Sequence, residues 1–502
     1  MKLKHLSIAI IAASLPMTGV FAAAMDRSGQ SISAFLQPNN YFEAGISVLD
    51  PTVEGREAGD TPKPYREIND MGDDYYFPSA AIKLQLTDQV SFGLLYDKPF
   101  GADAAYSGEN AFVSSDHDTV LPQDRLTALR NSTIDSTFNA MTAQQRVGGF
   151  LQGQGVDLTT ANGQQALRDS LTRYGTDATY KAGVDAAVKN VVTGRIDQGI
   201  AGANSTLGKG NTKVKVDTQN ISMIFGFQPI ANLNFYGGGV YQTIKGNVSL
   251  RGQAYSLYNG YDANIKETGG VGWLAGAAYQ IPDIALKASV TYRSEIDHDV
   301  NINESIPTLG ALALLGDTGT AAAKAIAAAN GKTTITTPQS VNIDLQTGIM
   351  ANTIAFANLR WVNWKDFSIQ PLKFGKVSQA IGGLVNRPNG FNLVEYSDDQ
   401  YTVTAGVGRK INDLWSGTVA VGWDSGAGNP VSTLGPTEGY WNVGLGVQYS
   451  PTPATFIAGG VKYFWLGDAK AQTGAQSGGD TYVAEFKDNN AIAYGLKIGY
   501  RF

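Results

Sequence analysis

The chain ends in Ala491-Ile492-Ala493-Tyr494-Gly495-Leu496-Lys497-Ile498-Gly499-Tyr500-Arg501-Phe502, where large apolar side chains alternate with small or charged ones. At the two-residue period of a β-strand, one face carries Ile, Tyr, Leu and Phe, and the other carries Ala, Gly, Lys and Arg. A strand of an outer-membrane barrel turns its apolar face to lipid and its small or charged face to the lumen. About ten residues are enough to cross the bilayer when the strand is tilted. The stretch therefore favours a transmembrane strand over the edge strand of a soluble β-sandwich.

The same alternation recurs upstream, between short turns rich in Pro, Asn or Asp and longer polar segments. Counting the alternating runs predicts about fourteen strands, including one at 335–348 and a last one at 481–502. An even strand number, with short connections on one side and long loops on the other, is typical of transmembrane barrels. The sequence therefore predicts an all-β fold, a transmembrane antiparallel β-barrel spanning 41–502.

The segments outside the strands predict export, a plug and two helical loops. Residues 1–24 combine a basic start, an apolar run and Ala22-Ala23-Ala24, as a cleaved signal peptide does. Residues 25–40 are expected to form a short N-terminal periplasmic or plug segment. Apolar residues recur at helical spacing in 121–205, and 300–335 contains an alanine-rich run. Both segments are predicted to be helical extracellular loops.

Composition excludes several classes of function. The chain has no cysteine, and its three histidines are His5, His117 and His298. The last two lie in or near predicted loops, so they are expected to be solvated. No nucleophile motif surrounds either of them, which argues against a catalytic role. A net charge of −6 argues against a nucleic-acid partner, which would need a basic footprint. No phosphate loop or metal-ligand cluster is evident. The sequence therefore predicts a protein that is not an enzyme and needs neither cofactor nor metal.

Three short stretches resemble the FadL type of outer-membrane long-chain fatty acid and hydrocarbon transporters. They are 42–55, 98–103 and 286–295, the last containing Tyr-Arg-Ser-Glu. Their order, together with the C-terminal strands, extends the resemblance over most of 41–502 outside the 121–205 insert. Members of this family generally carry a longer plug with an Asn-Pro-Ala motif, where this chain has Gln37-Pro38-Asn39-Asn40. A shortened plug is therefore expected.

The resemblance implies a monomeric fourteen-stranded barrel in the outer membrane of a Gram-negative bacterium, surrounded by lipid and lipopolysaccharide. It also implies passive uptake of hydrophobic molecules, above all long-chain fatty acids, which leave sideways into the bilayer at a kink in the third strand. That kink corresponds to Pro99, Phe100 and Gly101. Proline removes a ladder donor and glycine tolerates a bulge. The alternative is that these residues merely end the strand.

The alternation also identifies lumen cations. Lys287, Arg293, Lys497 and Arg501 are predicted to face inward, where an arginine can bind a fatty-acid carboxylate through two hydrogen bonds. Lys497 lies deeper than Arg501, which is near the periplasmic rim. The structural alternative for Arg293 is an ion pair with Glu295 or with another acid in the lumen.

Other functions remain open at this point. Within the same class, the barrel would be an aromatic or alkane hydrocarbon channel. In another class, it would be a surface adhesin or phage receptor that acts through its extracellular loops. A general polar porin is the third alternative.

Overall fold

The computed structural model describes residues 25–502, so the predicted signal peptide at 1–24 lies outside the described residues. Fourteen antiparallel strands form a closed barrel. They are numbered here in chain order as β1 (Tyr41–Thr52), β2 (Tyr75–Gln85), β3 (Val90–Asp97, resumed at Gly101–Ala105), β4 (Lys213–Ile230), β5 (Leu233–Leu250), β6 (Tyr261–Ile281), β7 (Leu286–Arg293), β8 (Ser340–Met350), β9 (Thr353–Val362), β10 (Gln400–Lys410), β11 (Trp415–Asp424), β12 (Tyr440–Tyr449), β13 (Thr455–Leu466) and β14 (Asn490–Arg501). β14 pairs with β1 and closes the barrel. The predicted fold class is confirmed.

Apolar side chains cover the outside of the barrel and charged or small ones face its interior, the reverse of a soluble protein, as a lipid environment requires. On β14, Leu496 is 52% exposed, whereas the neighbouring Lys497 is 4% exposed and faces the lumen. Ile492, Tyr494 and Ile498 are exposed on the same outer face as Leu496. The alternation of the C-terminal stretch therefore has the meaning that the sequence predicted, an apolar band turned to lipid.

Two predicted strand boundaries are wrong. The run at 335–348 is divided by Pro338, which cannot donate to a ladder. Its first part, Thr333–Thr337, pairs instead with Ile296–Val300 in a separate hairpin. The run at 481–502 is divided by a turn in which Asp488 has a φ of 57°. Its first part, Ala484–Phe486, joins a small sheet above the barrel.

Helices lie in the loops on the side opposite the short turns. The insert contains α1 (Gln123–Ala140), α2 (Ala143–Gly153), α3 (Ala161–Thr176) and α4 (Ala178–Asn204), which pack around their own apolar cluster. The second helical loop contains α5 (Gly316–Ala327). α6 (Leu372–Ile381) lies in a loop for which the sequence predicted no helix. Among residues 25–502, no helix is long and apolar enough to span a membrane.

Shorter elements lie in the connections between the barrel strands, and one of them, the 3₁₀ helix Pro282–Ile284, forms the short turn between β6 and β7. The remaining strands are Gly55–Glu57, Glu67–Ile68, Ile302–Ser305, Ser368–Ile369, Val394–Glu395, Val431–Ser432 and Ala469–Gln472, and the 3₁₀ helices are Gln253–Tyr258, Pro282–Ile284, Pro307–Leu315 and Gly382–Leu384. Aromatic side chains from several loops pack together over the barrel mouth. Tyr258 stacks on Phe374 with ring centres 4.2 Å apart, and Phe100 meets Trp364 edge to face at 5.4 Å. We call this aromatic cluster the roof.

The segment at 25–40, which we call the plug, packs against the barrel wall. Phe35 is fully buried and meets Tyr236 of β5 edge to face, with ring centres 5.7 Å apart. Its ring lies against Gly93 of β3 and Gly226 of β4, where an added Cβ would overlap it. The two glycines therefore form a slot that admits the aromatic ring of the plug.

This slot gives a first prediction. Gly93→Ala should displace Phe35, because overpacking of this kind costs about 1–3 kcal/mol, and a loosened plug should raise ion conductance in planar bilayers severalfold. Gly459→Ala is the matched control, since the nearest atom to an added Cβ there is 3.7 Å away. Equal conductance of the two variants would contradict the slot.

Candidate functional site

The plug is tied to the barrel by a buried ion pair. Arg360 of β9 donates from Nε to Asp26 Oδ2 at 2.6 Å, and neither side chain is more than 4% exposed. The same guanidinium reaches Gln30 Oε1 at 3.1 Å. Asn342 of β8 donates to the Gly29 carbonyl at 2.7 Å. The first residues of the plug are therefore hydrogen-bonded to β8 and β9 of the barrel wall.

The four predicted cations all face the lumen, and two of them contact the plug. Lys287 donates to the Leu36 carbonyl at 2.9 Å, and Arg293 donates to the Gln30 carbonyl at 3.2 Å. Lys497 pairs with Glu43 of β1 at 3.2 Å. The Arg501 guanidinium lies over the rings of Tyr41 and Phe456, 5.9 and 5.3 Å from their centres. Each cation therefore already has a protein partner in this conformation.

The structure also tests the predicted pairing of Arg293 with Glu295 and the predicted solvation of the two histidines. Arg293 bonds to the plug and to Ser222, whereas Glu295 is exposed, so the expected pair between them does not form. His117 is exposed, as expected, but His298 is fully buried, and its Nε2 lies 2.9 Å from Gln242 Oε1. The expectation of a solvated His298 is wrong because its hairpin packs against β6 rather than projecting into water. Within residues 25–502, no cluster of potential ligands is arranged for a metal.

Below the plug lies a cavity of about 230 Å³, which we call the lumen cavity. Most of its wall is apolar, with Ile32, Leu36 and Phe77 among the lining residues, but charged side chains of both signs come from β1, β7, β8, β13, β14 and the end of the first part of β3. The charged residues are Glu43, Asp97, Lys98, Lys287, Arg293, Asp344, Lys462 and Lys497. The lumen cavity therefore offers apolar surface beside charged groups of both signs.

β2 and β3 separate above Ala80. Their ladder runs from Gln85↔Ser91 to Ala80↔Tyr96 and stops there, although β2 stays paired with β1 as far as Tyr75. Among the described residues, no ladder pair joins 76–79 of β2 to β3. The strands meet again higher up, where Gly72 and Ala104 form an isolated bridge. We call the unpaired region between these points the gap.

The kink in β3 forms the other side of the gap. Pro99, Phe100 and Gly101 interrupt the strand rather than end it, because β3 resumes at Gly101–Ala105 and pairs again with β4. Asp97 pairs with Asn220 and Gly101 with Asp217, so three residues of β3 bulge opposite two residues of β4. The alternative prediction, that these three residues merely end the strand, is therefore wrong.

The plug provides backbone partners for the kink. The Arg27 N–H donates to the Pro99 carbonyl at 2.7 Å, and the Gly101 N–H donates to the Met25 carbonyl at 2.9 Å. Asp26 and Phe100 form the bridge between these bonds. The first residues of the plug thus occupy the place beside β3 that β2 leaves vacant.

Pro78, which was not among the predicted site residues, lies on the β2 side of the gap and is exposed. A proline cannot donate to a ladder and is found on edge strands or next to bulges. Its position within an otherwise regular predicted strand was the available signal. A proline therefore stands on each side of the gap, at positions 78 and 99.

A second, apolar space lies between the plug and the roof. This chamber has a volume of about 40 Å³. Its wall comes from the plug, β2 to β6 and two loops, and includes Met25, Arg27, Tyr75, Val216, Ile265, Leu393, Tyr396 and Leu434. The chamber therefore offers an apolar surface directly above the kink.

One wall of the chamber is held by a titratable residue. Leu434 and Gly435 belong to the loop 425–439, in which Glu438 accepts the N–H of Gly428 at 3.2 Å. Burial raises the pKa of the Glu438 carboxyl to about 7. This anchor therefore changes its charge near neutral pH.

A second prediction concerns the plug. Arg360→Gln leaves Asp26 buried without its ion partner, and breaking such a pair costs about 3–5 kcal/mol. The plug should loosen, so the variant should conduct ions severalfold better than the parent in planar bilayers. Arg409→Gln, at an exposed position of β10, is the control. Arg360→Gln channels that stay as closed as the control would show that the pair does not secure the plug.

Known proteins give an independent comparison. The structure is similar to that of a Pseudomonas aeruginosa FadL homologue at 13% identity, with 98% of each chain covered and a TM-score of 0.57. It is also similar to a TodX mutant described as a monoaromatic hydrocarbon channel, at 9% identity, 98% of each chain and a TM-score of 0.51. At these identities the likeness concerns the fold alone. Comparison with the sequences of curated proteins finds no match.

Family membership rests on the sequence. Residues 31–502 match the model of a family described as outer membrane protein transport protein (OMPP1/FadL/TodX). The match covers the barrel, both helical loops and most of the plug. The chain therefore belongs to the OMPP1/FadL/TodX family of outer membrane transport proteins.

Proposed function

We propose that this protein takes up long-chain fatty acids passively and releases them sideways, between β2 and β3, into the outer membrane. Its family establishes the broader statement that it is an outer-membrane channel for hydrophobic compounds and not an enzyme. In the proposal the barrel acts as a monomer surrounded by outer-membrane lipid and lipopolysaccharide.

The main observation that supports this proposal is the gap between β2 and β3. Phe77 and Ser79 of β2 and Tyr96 and Asp97 of β3 line the lumen cavity, so the cavity reaches the gap from inside. On the outside, Leu94 of β3 belongs to the exposed apolar band. A molecule that passes through the gap would move from the barrel interior to the lipid without crossing the periplasmic end.

The energetics favour the sideways route for a long alkyl chain. Each CH₂ group removed from water contributes about 0.8 kcal/mol, and both the chamber and the bilayer provide that transfer. The lumen cavity, onto which the gap opens, also provides apolar surface along most of its wall. The gap then gives the chain direct access to the apolar bilayer.

The lumen cations have two roles in this proposal. Lys287 and Arg293 hold plug carbonyls, and a fatty-acid carboxylate could take over these hydrogen bonds when the plug moves. Lys497 and Arg501 could contact the same carboxylate only by leaving Glu43 or the aromatic rings. We therefore assign the first two to plug release and the last two mainly to the barrel wall.

A second substrate class is favoured by the chamber itself. In this conformation it has a volume of only about 40 Å³, and Tyr75 and Tyr396 contribute to its wall. Small aromatic hydrocarbons suit such a space better than a fully inserted alkyl chain. Uptake of toluene is therefore the alternative to be tested alongside fatty acids.

The test uses cells that lack their own transporter. We expect the protein to support uptake of a labelled long-chain fatty acid but not of a polar sugar. Uptake of toluene alone would move the function to hydrocarbons. Uptake of the sugar alone would contradict a hydrophobic channel.

Sideways release gives a third prediction. The chain has no cysteine, so a pair introduced by Pro78→Cys and Lys98→Cys can be bridged across the gap by a short bis-maleimide. Bridging should abolish fatty-acid uptake, because it ties the two sides of the exit together. The control pair, Ile82→Cys and Leu94→Cys, joins residues that are already ladder partners. Equal uptake after bridging at both places would exclude the gap as the exit.

A further inference from the structure

Lys98 lies at the mouth of the gap. The ladder between β2 and β3 ends at Ala80↔Tyr96, so Pro78 and Lys98 would be the opposed pair two positions higher if it continued. Both residues line the lumen cavity. The Lys98 side chain is 23% exposed, so its ammonium group is not closed off within the wall. A cation therefore stands where the proposed exit opens to the outside.

The outer face of β4 changes from apolar to charged at the level of the kink. Ile221 is 43% exposed in the apolar band and pairs with Tyr96, just below the kink. Asp217 lies higher on the same outer face and pairs with Gly101, just above the kink. The apolar band of a transmembrane barrel ends where the hydrocarbon gives way to head groups. The gap thus opens at the upper border of the apolar band.

This border determines how an acid would leave. Burying an ionised carboxylate in hydrocarbon is costly, whereas an alkyl chain gains free energy on leaving water. The chain of the acid would therefore enter the bilayer through the gap, while its head group stays at the border. There the ammonium group of Lys98 can donate a charge-assisted hydrogen bond to the carboxylate.

The present partner of Lys98 can be exchanged without leaving a charge alone. Lys98 pairs with one carboxylate oxygen of Asp217. A second cation, Lys245 of β5, lies 3.8 Å from the other oxygen of the same carboxylate and 3.9 Å from Glu267. If the carboxylate of a ligand takes over Lys98, Asp217 keeps Lys245. Exchange of one carboxylate for another therefore leaves every charge of this cluster paired.

We infer that Lys98 forms an exit site, which binds the carboxylate of a long-chain acid while the alkyl chain passes through the gap into the outer leaflet. The inference rests on the proposed function, because it assigns a residue to its substrate class and its route. It differs from the role assigned to Lys287 and Arg293, which contact the plug inside the barrel.

The test compares two substrates of equal chain length. Cells that lack their own transporter and carry the parent, Lys98→Gln, Lys98→Arg or Asp217→Asn would be given labelled hexadecanoic acid or labelled hexadecan-1-ol. Lys213→Gln is the control, because it removes an exposed lysine higher on the outer face of β4. Heat-modifiable migration on gels checks that each barrel is assembled.

The two partners of the ion pair should respond in opposite directions. Lys98→Gln should lower uptake of the acid about fivefold, the effect expected of one ion pair at a partly exposed position, and leave uptake of the alcohol unchanged. Lys98→Arg should retain most of the acid uptake. Asp217→Asn should raise acid uptake, because it removes the carboxylate that competes for Lys98.

The outcomes separate this inference from the proposed function. If the parent takes up neither compound, or the alcohol alone, the proposed function itself fails. If Lys98→Gln and Asp217→Asn lower uptake of both compounds alike, the ion pair only holds the kink and the exit site is refuted. If acid uptake is unchanged in Lys98→Gln, recognition by Lys98 is excluded while the channel function stands.

Discussion

Within a bilayer, a backbone N–H or C=O group has no water to bond to, so every such group of a barrel must find its partner inside the protein. This constraint explains why a gap in the ladder is exceptional and why it is accompanied by compensating features. β3 loses β2 as a partner above Tyr96, and the main chain of Met25 and Arg27 provides hydrogen bonds to Gly101 and Pro99 instead. Pro78 and Pro99 have no backbone N–H, so at these two positions no donor is left without a partner.

The plug and the gap are therefore one structural unit. Moving the plug away from the kink removes the bonds that replace β2, and opening the kink removes the bonds that hold the plug. The barrel secures the remaining plug residues through Arg360, Arg293 and Lys287, with Phe35 held in its glycine slot. The cations predicted from the sequence to bind ligand thus also position the segment that lies against the kink.

Much of the fold follows from the sequence because strand alternation is local. The C-terminal stretch shows it clearly, since each residue faces lipid or lumen according to its position alone. The inward direction of the four predicted cations follows from the alternation in the same way. The partners of lumen charges cannot be predicted from a local pattern, because a barrel brings together residues such as Asp26 and Arg360 that are far apart in the chain.

Other features escaped prediction for physical reasons that can be named. α6 is short and owes its place to packing of Phe374 in the roof and to Glu304, which accepts the N–H groups of Lys373 and Phe374. His298 is buried because its hairpin folds back onto β6. The chamber is formed by eight separate parts of the chain, the plug, five strands and two loops, so no local sequence pattern predicts it.

The central claim is that a hydrophobic ligand leaves through the gap rather than through the periplasmic end. The most direct measurement is photolabelling of the membrane-embedded protein with a fatty acid that carries a photoreactive group at the end of its alkyl chain, followed by mass spectrometry of the adducts. If the ligand leaves through the gap, adducts are expected at chamber and gap residues such as Tyr75, Phe77 and Tyr96. Adducts concentrated near Lys83 and Gln85, at the periplasmic end of β2, would contradict it.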